Sequence, residues 1–168
     1  MKTRLPCHWF VAAALAAAGS TVLPSAALAA SDAEAIAVQQ ATPVDRSGKT
    51  RIGKASYYHA MFSGRKMAGG RPFDPNGTNA ASKTLPLGTI ARVTNPKNGK
   101  SAVVTIDDRG PYVADRIVDL SPKTAQDLGI KHEGVAMVEV TPISVPLPDG
   151  RVLLGDAGRD AGEQLIAR

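Results

Sequence analysis

The chain has 168 residues, 43% of them hydrophobic and 21% charged, with a formal net charge of +5. Its one cysteine, Cys7, precedes an apolar run near the N-terminus, which excludes a disulfide framework and a cysteine metal site from the exported protein. No basic run is interleaved with aromatic residues, which argues against nucleic-acid binding.

Residues 1–30 have the pattern of a signal peptide. Two basic residues precede an apolar run over residues 9–19, and Ala27-Leu-Ala29 supplies the small residues that a signal peptidase requires. The run is short for a membrane span, and no later run approaches the required length. We therefore predict an exported periplasmic or envelope protein of about 138 residues with net charge +3. It is not lipid-anchored, because Cys7 lies upstream of the apolar run rather than at the cleavage site.

The segment 31–50 lacks a sustained hydrophobic period and is predicted to be a flexible linker. The folded domain is predicted over residues 51–143 and begins with a short alternating strand near residues 53–59. Residues 62–83 are rich in glycine and small polar residues. A structureless segment of this length in a compact domain is usually functional, so we expect it to form one wall of a groove.

The middle of the chain alternates short strands with tight turns. Residues 90–94 form a predicted strand, and Asn98-Gly99 marks a reversal into the next strand. That next strand, residues 101–106, is rich in β-branched residues, and its composition predicts burial of both faces.

A further strand is predicted at residues 116–120, followed by a short helix. Ser121 is the predicted N-cap, and the helix over residues 122–128 ends at Gly129. A last strand covers residues 135–140, and residues 144–168 are predicted to form a poorly ordered tail. About six short strands, five of them located above, and one short helix predict a mainly β fold, most simply a small closed barrel, which leaves no exposed sheet edge.

The strand at residues 101–106 leads directly into Asp107-Asp108-Arg109-Gly110-Pro111. Charged groups held at the end of a buried strand by a Gly-Pro turn can form a rigid active-site corner. The alternative is a solvated turn with an incidental Asp-Arg pair. Because neighbouring side chains of a strand point to opposite faces, we expect Asp107 to contribute little beside Asp108.

The order and spacing of several motifs between about residues 53 and 143 resemble the rare lipoprotein A (RlpA) family. The motifs are Gly53-Lys-Ala-Ser-Tyr-Tyr, Phe73-Asp-Pro-Asn, Ala80-Ala-Ser-Lys-Thr-Leu-Pro-Leu-Gly-Thr, Val93-Thr-Asn, Asn98-Gly, Asp108-Arg-Gly-Pro-Tyr and Arg116-Ile-Val-Asp-Leu-Ser. The resemblance implies a six-stranded double-psi β-barrel. It also implies a lytic transglycosylase that cleaves peptidoglycan glycan strands and leaves 1,6-anhydromuramyl ends.

The resemblance carries over only in part to the site residues. It implies an acidic residue where this chain has Arg71 and a histidine where it has Ser82, whereas the aspartate is present as Asp108. Neither replacement can perform the same proton chemistry. A lytic transglycosylase uses the sugar's own hydroxyl as nucleophile, so one carboxyl can act first as acid and then as base. Asp108 is therefore the predicted catalytic residue.

Other residues are predicted to bind substrate or to support the corner. One of Tyr57 and Tyr58 is expected to stack on a sugar ring, since alternation directs the other into the core. Thr84 is expected to hold the Asp108 corner through its hydroxyl. Arg71, Ser82 and Arg109 complete the predicted substrate-binding set. Asp119 and Asp74 are predicted to be structural.

No metal site or cofactor is predicted, because His59 and His132 lack carboxylate or cysteine partners at ligand spacing. The predicted partner is the peptidoglycan glycan strand, and the chain is expected to be a monomer. The alternative function is a non-catalytic, expansin-like barrel that binds or loosens the wall, which the replacements at Arg71 and Ser82 favour.

Overall fold

A computed structural model describes residues 43–166, and the predicted signal peptide lies outside them. The described part contains seven strands, two α-helices and a short 3₁₀ turn at Ala60–Phe62. The strands are β1 (Arg51–Tyr57), β2 (Asn79–Ala81), β3 (Ile90–Thr94), β4 (Ser101–Asp108), β5 (Arg116–Leu120), β6 (Ala136–Pro146) and β7 (Val152–Leu154). The helices are α1 (Pro122–Asp127) and α2 (Asp156–Ile166).

Six of these strands close into a barrel in the order β1-β5-β2-β4-β3-β6, and β6 returns to pair with β1. Two pairs are parallel, β1 with β5 and β2 with β4, whereas the other barrel pairs are antiparallel. β7 adds to the far end of β6 as a seventh strand. The predicted six-stranded double-psi β-barrel is thus confirmed.

The barrel interior is filled by aliphatic side chains that alternate along the strands. In β4, Val104 and Ile106 are fully buried, as are Val93 of β3 and Val138 of β6. Val103, in contrast, is 50% exposed. The prediction that both faces of this strand are buried is therefore wrong, because its outer face is largely uncovered and β-branched composition alone does not report which face is covered.

Helix α1 begins as its sequence predicts. The Ser121 hydroxyl accepts a hydrogen bond from the backbone N–H of Thr124 at 3.1 Å, and Pro122 occupies the first turn. Gly129 follows the helix with φ of 73°, a left-handed conformation that glycine adopts without steric cost. The helix packs near β4 and β1, with Leu128 fully buried.

The structure differs from the sequence-based expectation at residues 144–166. Instead of a poorly ordered tail, this segment contains the end of β6, the strand β7 and the helix α2. A Cβ at Gly155 would lie 2.3 Å from the carbonyl oxygen of Pro142, and one at Gly158 would lie 2.4 Å from that of Ile143. The glycines that suggested a loop therefore allow α2 to approach β6 closely.

The segment 43–50, predicted as part of the linker, also makes specific contacts. The Asp45 N–H donates to the carbonyl oxygen of Thr84 at 2.7 Å, and the Asp156 N–H donates to that of Gly48 at 2.9 Å. Thr50 donates to the Asp156 carboxylate through both its backbone N–H and its hydroxyl. The remainder of the predicted linker, up to residue 42, lies outside the described residues. Within residues 43–166, neither helix has the length and apolar character needed to cross a membrane.

Candidate active site

The candidate site is built at the carboxyl end of β4, where two adjacent aspartates point in different directions. The Asp107 carboxylate accepts a hydrogen bond from the guanidinium of Arg71. The Asp108 carboxylate instead accepts one from the hydroxyl of Tyr58, the residue that follows β1. This divergence is what the alternation of a strand predicts, and it gives the two carboxylates separate surroundings.

Three donors fix the orientation of the Asp108 carboxylate. Oδ1 accepts from the backbone N–H groups of Ala68 and Arg109, each at 2.9 Å, and Oδ2 accepts from the Tyr58 hydroxyl at 2.9 Å. The oxygens of a carboxyl group offer about four lone-pair positions, so one remains for a transferred proton or a ligand. Hydrogen bonds from three different residues hold the group in place.

Tyr58 is held as a neutral hydrogen-bond donor. Burial raises the pKa of the Tyr58 phenol well above its usual value of 10.0, and the hydrogen bond to Asp108 raises it further. Its ring packs between two phenylalanines, with ring centroids 5.9 Å from Phe62 and 5.0 Å from Phe73. The hydroxyl therefore keeps its proton at neutral pH and directs it at Asp108.

The Asp108 carboxylate lies in an open groove of about 530 Å³. Its lining comes mainly from the 3₁₀ turn with the loop that follows it and from the turn after β4. Six residues of this lining are Phe62, Arg65, Met67, Phe73, Gly110 and Tyr112. Aromatic rings around a fixed polar group form the kind of surface that binds a sugar ring.

The expectation that the glycine-rich segment forms a wall is thus confirmed for the part around residues 62–73. The sequence argument did not identify Phe62, Met67 or Tyr112 as groove residues. The signal available in the sequence was the presence of two aromatic residues, Phe62 and Phe73, in a segment otherwise rich in glycine and small polar residues.

The loop over residues 66–72 is tied to the end of β4. Within the loop, the Met67 N–H donates to the carbonyl oxygen of Arg71 at 2.9 Å. The Gly69 N–H donates to the carbonyl oxygen of Asp107 at 2.7 Å, and the Arg71–Asp107 ion pair adds a side-chain contact. These contacts place the Ala68 N–H against Asp108. They also raise the pKa of Arg71, chiefly through its hydrogen bond to Asp107.

Arg71 therefore lies beside Asp107 and not on the Asp108 side of the strand. Its side chain is 64% exposed, whereas that of Asp107 is only 9% exposed. Arg71 and Asp107 both line a second, smaller cavity, which shares Met67 with the groove. Arg71 acts on Asp108 only through the loop that it helps to anchor.

Ser82 and Arg109 link the end of β4 to the turn between β2 and β3. The Ser82 hydroxyl is buried and accepts from the N–H of Leu85 at 3.3 Å, while its own N–H donates to the carbonyl oxygen of Asp108 at 3.2 Å. The Arg109 guanidinium lines the groove but donates to the carbonyl oxygens of Ser82 and Leu85 at 3.2 and 2.6 Å. The Arg109 side chain and the Ser82 backbone N–H hold the turn between β2 and β3 against the end of β4, and the Ser82 hydroxyl bonds within that turn.

Thr84 and Tyr57 lie away from the groove. The Thr84 hydroxyl accepts from the Arg51 guanidinium at 2.5 Å, so the prediction that it holds the Asp108 corner is wrong. The Tyr57 hydroxyl donates to the carbonyl oxygen of Lys131 at 3.1 Å, in a separate cavity. Of the two adjacent tyrosines, Tyr58 is the one in the groove.

Asp119 and Asp74 have the structural contacts that the sequence predicts. Asp119 accepts from the Ser56 hydroxyl at 2.6 Å and pairs with Arg116 at 3.6 Å, although it also lines the groove. Asp74 accepts from the Asn76 N–H at 2.8 Å and so stabilises its turn. Asp119 is thus paired with a cationic side chain, whereas the three donors to the Asp108 carboxyl group are uncharged.

Comparison with known proteins agrees with this architecture. A family model described as lytic transglycolase matches residues 50–140, more than half of the chain. The endolytic peptidoglycan transglycosylase RlpA of Neisseria meningitidis serogroup A / serotype 4A is 40% identical over 126 residues, which cover 72% of this chain and 53% of the relative. RlpA of Pseudomonas aeruginosa (strain UCBPP-PA14) is 47% identical over 89 residues, which cover 53% of this chain and 26% of the relative.

Among solved structures, the Streptomyces papain inhibitor is similar with a TM-score of 0.46 and 24% identity, over 57% of this chain and 96% of that one. An expansin of Clavibacter michiganensis has a TM-score of 0.45 and 22% identity, over 58% of this chain and 52% of that one. The chain spans about half the length of the Neisseria relative. From the match over residues 50–140, the chain belongs to the lytic transglycolase family of double-psi β-barrel domains.

Proposed function

We propose that this protein is an endolytic peptidoglycan transglycosylase that cleaves glycan strands and leaves 1,6-anhydromuramyl ends. The observation that carries the proposal is the Asp108 carboxylate, oriented by three donors inside a groove with aromatic walls. The names of the relatives, endolytic peptidoglycan transglycosylase RlpA, support the same reaction and substrate.

In the proposed mechanism, Asp108 acts twice. It first gives a proton to the glycosidic oxygen that leaves, and it then removes the proton of the C6 hydroxyl of the muramic acid as that oxygen attacks C1. The C1–O bond to the leaving sugar breaks, the C1–O6 bond forms, and the proton returns to Asp108. No water takes part, so a second carboxyl to activate water is not required, in contrast to ordinary glycoside hydrolysis. Tyr58 and the Ala68 N–H keep the carboxylate aimed during both transfers.

Several features of the cellular setting are part of the proposal. The substrate is peptidoglycan, so the protein acts in the cell envelope after export. We propose that residues 1–30 are removed on export and that the periplasmic form carries no lipid anchor. N-terminal sequencing of the exported protein tests this directly, because it should begin at Ala30 or Ser31.

The substitution Asp108→Asn tests the mechanism. Asparagine keeps the size and hydrogen-bonding reach of the side chain but cannot transfer the proton. The release of anhydromuramyl products from purified sacculi, followed by mass analysis, should fall by roughly 10²–10⁴-fold. Asp127→Asn, on the exposed side of α1, is the matched control and should leave the rate unchanged. Glycan pull-down by the Asp108 variant should stay close to wild type. Equal rates for Asp108→Asn and wild type would exclude this residue as the acid.

A binding-only barrel is the second candidate function, and one observation favours it. Where the family resemblance implies an acidic group, this chain has Arg71, which pairs with Asp107. The second carboxylate of the groove, Asp119, is bound to Ser56 and Arg116. On this alternative, wild-type protein retains sacculi but releases no anhydromuramyl ends. Asp108→Asn would then change only the affinity for glycan, and modestly.

A further inference from the structure

The cavity beside Tyr57, of about 460 Å³, lies apart from the groove that contains Asp108. None of its lining residues also lines the groove. They come from the end of β1, from α1 and from the turn after α1, and they are Tyr57, Gln126, Gly129, Lys131 and His132. We call this the basic cavity. It is a separate site from the groove, although Tyr57 and Tyr58 are neighbours in the chain.

Hydrogen bonds within the protein fix the frame of the basic cavity. The Tyr57 hydroxyl donates to the carbonyl oxygen of Lys131 at 3.1 Å, which holds the turn after α1 against the end of β1. The carbonyl oxygen of Leu128, at the end of α1, accepts from the side-chain amides of Asn95 and Asn98 at 3.0 and 3.1 Å. Because neutral amides satisfy this carbonyl, the cations nearby are not needed to cap it.

The positive charge of the basic cavity is not compensated within residues 43–166. No aspartate or glutamate is among the lining residues. The acidic residues nearest to them in the chain are paired with other lysines, Asp127 with Lys123 at 2.7 Å and Glu133 with Lys97 at 3.3 Å. The Lys131 ammonium has no carboxylate within 4.0 Å in this part of the chain. Its charge is therefore left for a ligand.

A second ammonium approaches the basic cavity from the turn between β3 and β4. The Lys100 Nζ would lie 4.0 Å from a Cβ at Gly129, one of the lining residues. Across the described residues, Lys100 also lacks an ion-pair partner. Two lysines from separate elements, together with the His132 imidazole, thus lie at one cavity.

The chemistry of the lining specifies the ligand. Lysine ammonium groups only donate hydrogen bonds, and the Gln126 amide and the His132 imidazole can donate as well. The half-buried Tyr57 ring, which packs against the core, adds an apolar surface. The volume falls within the range of about 300–1,000 Å³ that is typical of small-molecule sites, well above the size of one inorganic anion. A ligand that fits offers carboxylate oxygens to the cations and small apolar groups to the ring.

We propose that the basic cavity binds an acidic peptide, the carboxylate-bearing stem peptide of peptidoglycan. The acidic character of the ligand follows from the cavity alone, whereas its identity as a stem peptide rests on the substrate proposed above. Lys131 and Lys100 pair with the peptide carboxylates, and Tyr57 packs against the alanine methyl groups. The cavity holds the protein on a peptide-bearing strand while the groove with Asp108 stays open to a glycan.

The test uses two synthetic stem peptides, L-Ala-γ-D-Glu-L-Lys-D-Ala, with both amino groups acetylated. One has two free carboxylates, and in the other both are amides. In ¹⁵N-labelled wild-type protein, the backbone amide resonances of residues 129–132 should shift with the carboxylate peptide and not with the amidated one, while that of Arg109 stays unchanged. Equal shifts with both peptides, or shifts confined to the groove, would overturn the proposal.

Inorganic phosphate is the third probe, because it separates a peptide site from a general anion site. It should move these resonances less, at equal concentration, than the carboxylate peptide does. Phosphate that binds as tightly as the peptide would overturn the assignment to a peptide.

A pair of variants tests the role of Lys131. Lys131→Gln should weaken binding of the carboxylate peptide by about three- to fivefold, the upper part of the range for one exposed ion pair. Lys123→Gln is the matched control, because it removes the same charge from an exposed lysine outside the cavity. Its affinity should equal that of wild type. No loss for Lys131→Gln, or equal losses for both variants, would overturn the proposal.

These measurements need no turnover, so they fail independently of the proposed function. Wild-type protein that binds the carboxylate peptide but releases no anhydromuramyl ends would refute the transglycosylase function and leave the peptide site supported. Protein that releases those ends but does not bind the peptide would refute the peptide site alone.

Discussion

Gly69 is the point at which the loop 66–72 comes closest to the candidate catalytic strand. A Cβ at this position would lie 2.9 Å from the carbonyl oxygen of Asp107, about 0.5 Å inside ordinary van der Waals contact. Because the obstructing atom belongs to the backbone, Gly69→Ala must push the loop away from β4. The hydrogen bond from the Gly69 N–H to Asp107, at 2.7 Å, then lengthens, and the Ala68 N–H withdraws from Asp108.

The expected magnitudes follow from these two contacts. Loss of one backbone hydrogen bond costs about 1 kcal/mol, which lowers Tm by roughly 3–5 °C in a domain of this size. A misplacement of about 1 Å can cost a hundredfold in rate, so a displacement of about half that size should lower the rate about tenfold. Release of anhydromuramyl ends measures the rate, and amide hydrogen exchange at Ala68 and Gly69 measures the loosening of the loop without reference to turnover.

Gly99→Ala, in the turn between β3 and β4, is the control for a general loss of stability. Gly99 has φ of +69°, so alanine there is strained, but no heavy atom lies within 4 Å of its Cβ position. This variant should lose a comparable amount of stability and retain the wild-type rate. The reasoning would be refuted if Gly69→Ala kept wild-type exchange at Ala68, or if exchange rose while the product rate stayed unchanged.

Three further predictions concern stability. Ser121→Ala should cost about 2 kcal/mol by denaturant titration, because the buried hydroxyl both caps α1 and donates to Gly77; the exposed Ser101→Ala should cost little. Hydrogen bonds from Thr50 lower the pKa of Asp156 below 3.8, so the Tm advantage of wild type over Asp156→Asn should be fully present above about pH 4 and shrink as the pH falls through the folded-state pKa. An advantage that grows with acidification would contradict this sign. Deletion of residues 43–48 should lower Tm measurably, because this segment bonds to the barrel and to α2, and an unchanged Tm would show that those contacts add nothing.

Local sequence patterns were sufficient for most barrel strands and for the corner at the end of β4, but not for β2, which lies within the segment 62–83 that was predicted to be structureless. Alternation located β1, β3, β4 and β5 to within a few residues, and the Ser-Pro pair located the start of α1. These features depend on hydrogen bonds between near neighbours and on side-chain period, both of which can be counted in the chain. The opposite directions of Asp107 and Asp108 follow from the same period.

The surroundings of the site depended on contacts between distant residues. Tyr58 and Asp108 are 50 residues apart, and Arg71 and Asp107 are 36 apart. No local period reports that Tyr58, rather than Tyr57, reaches the groove, since this depends on the pairing of β1 with β5.

The C-terminal segment shows the same division between sequence and tertiary structure. Its prolines and glycines indicate a loop when each is considered alone. In the folded protein, Pro146 ends a long strand, and Gly155 and Gly158 bring α2 against it. The sequence by itself determined most strands of the barrel, the position of Asp108 and the cap of α1. Tertiary structure alone decided which donors orient Asp108, which carboxylate engages Arg71 and where the last helix docks, because each depends on the closure of the barrel.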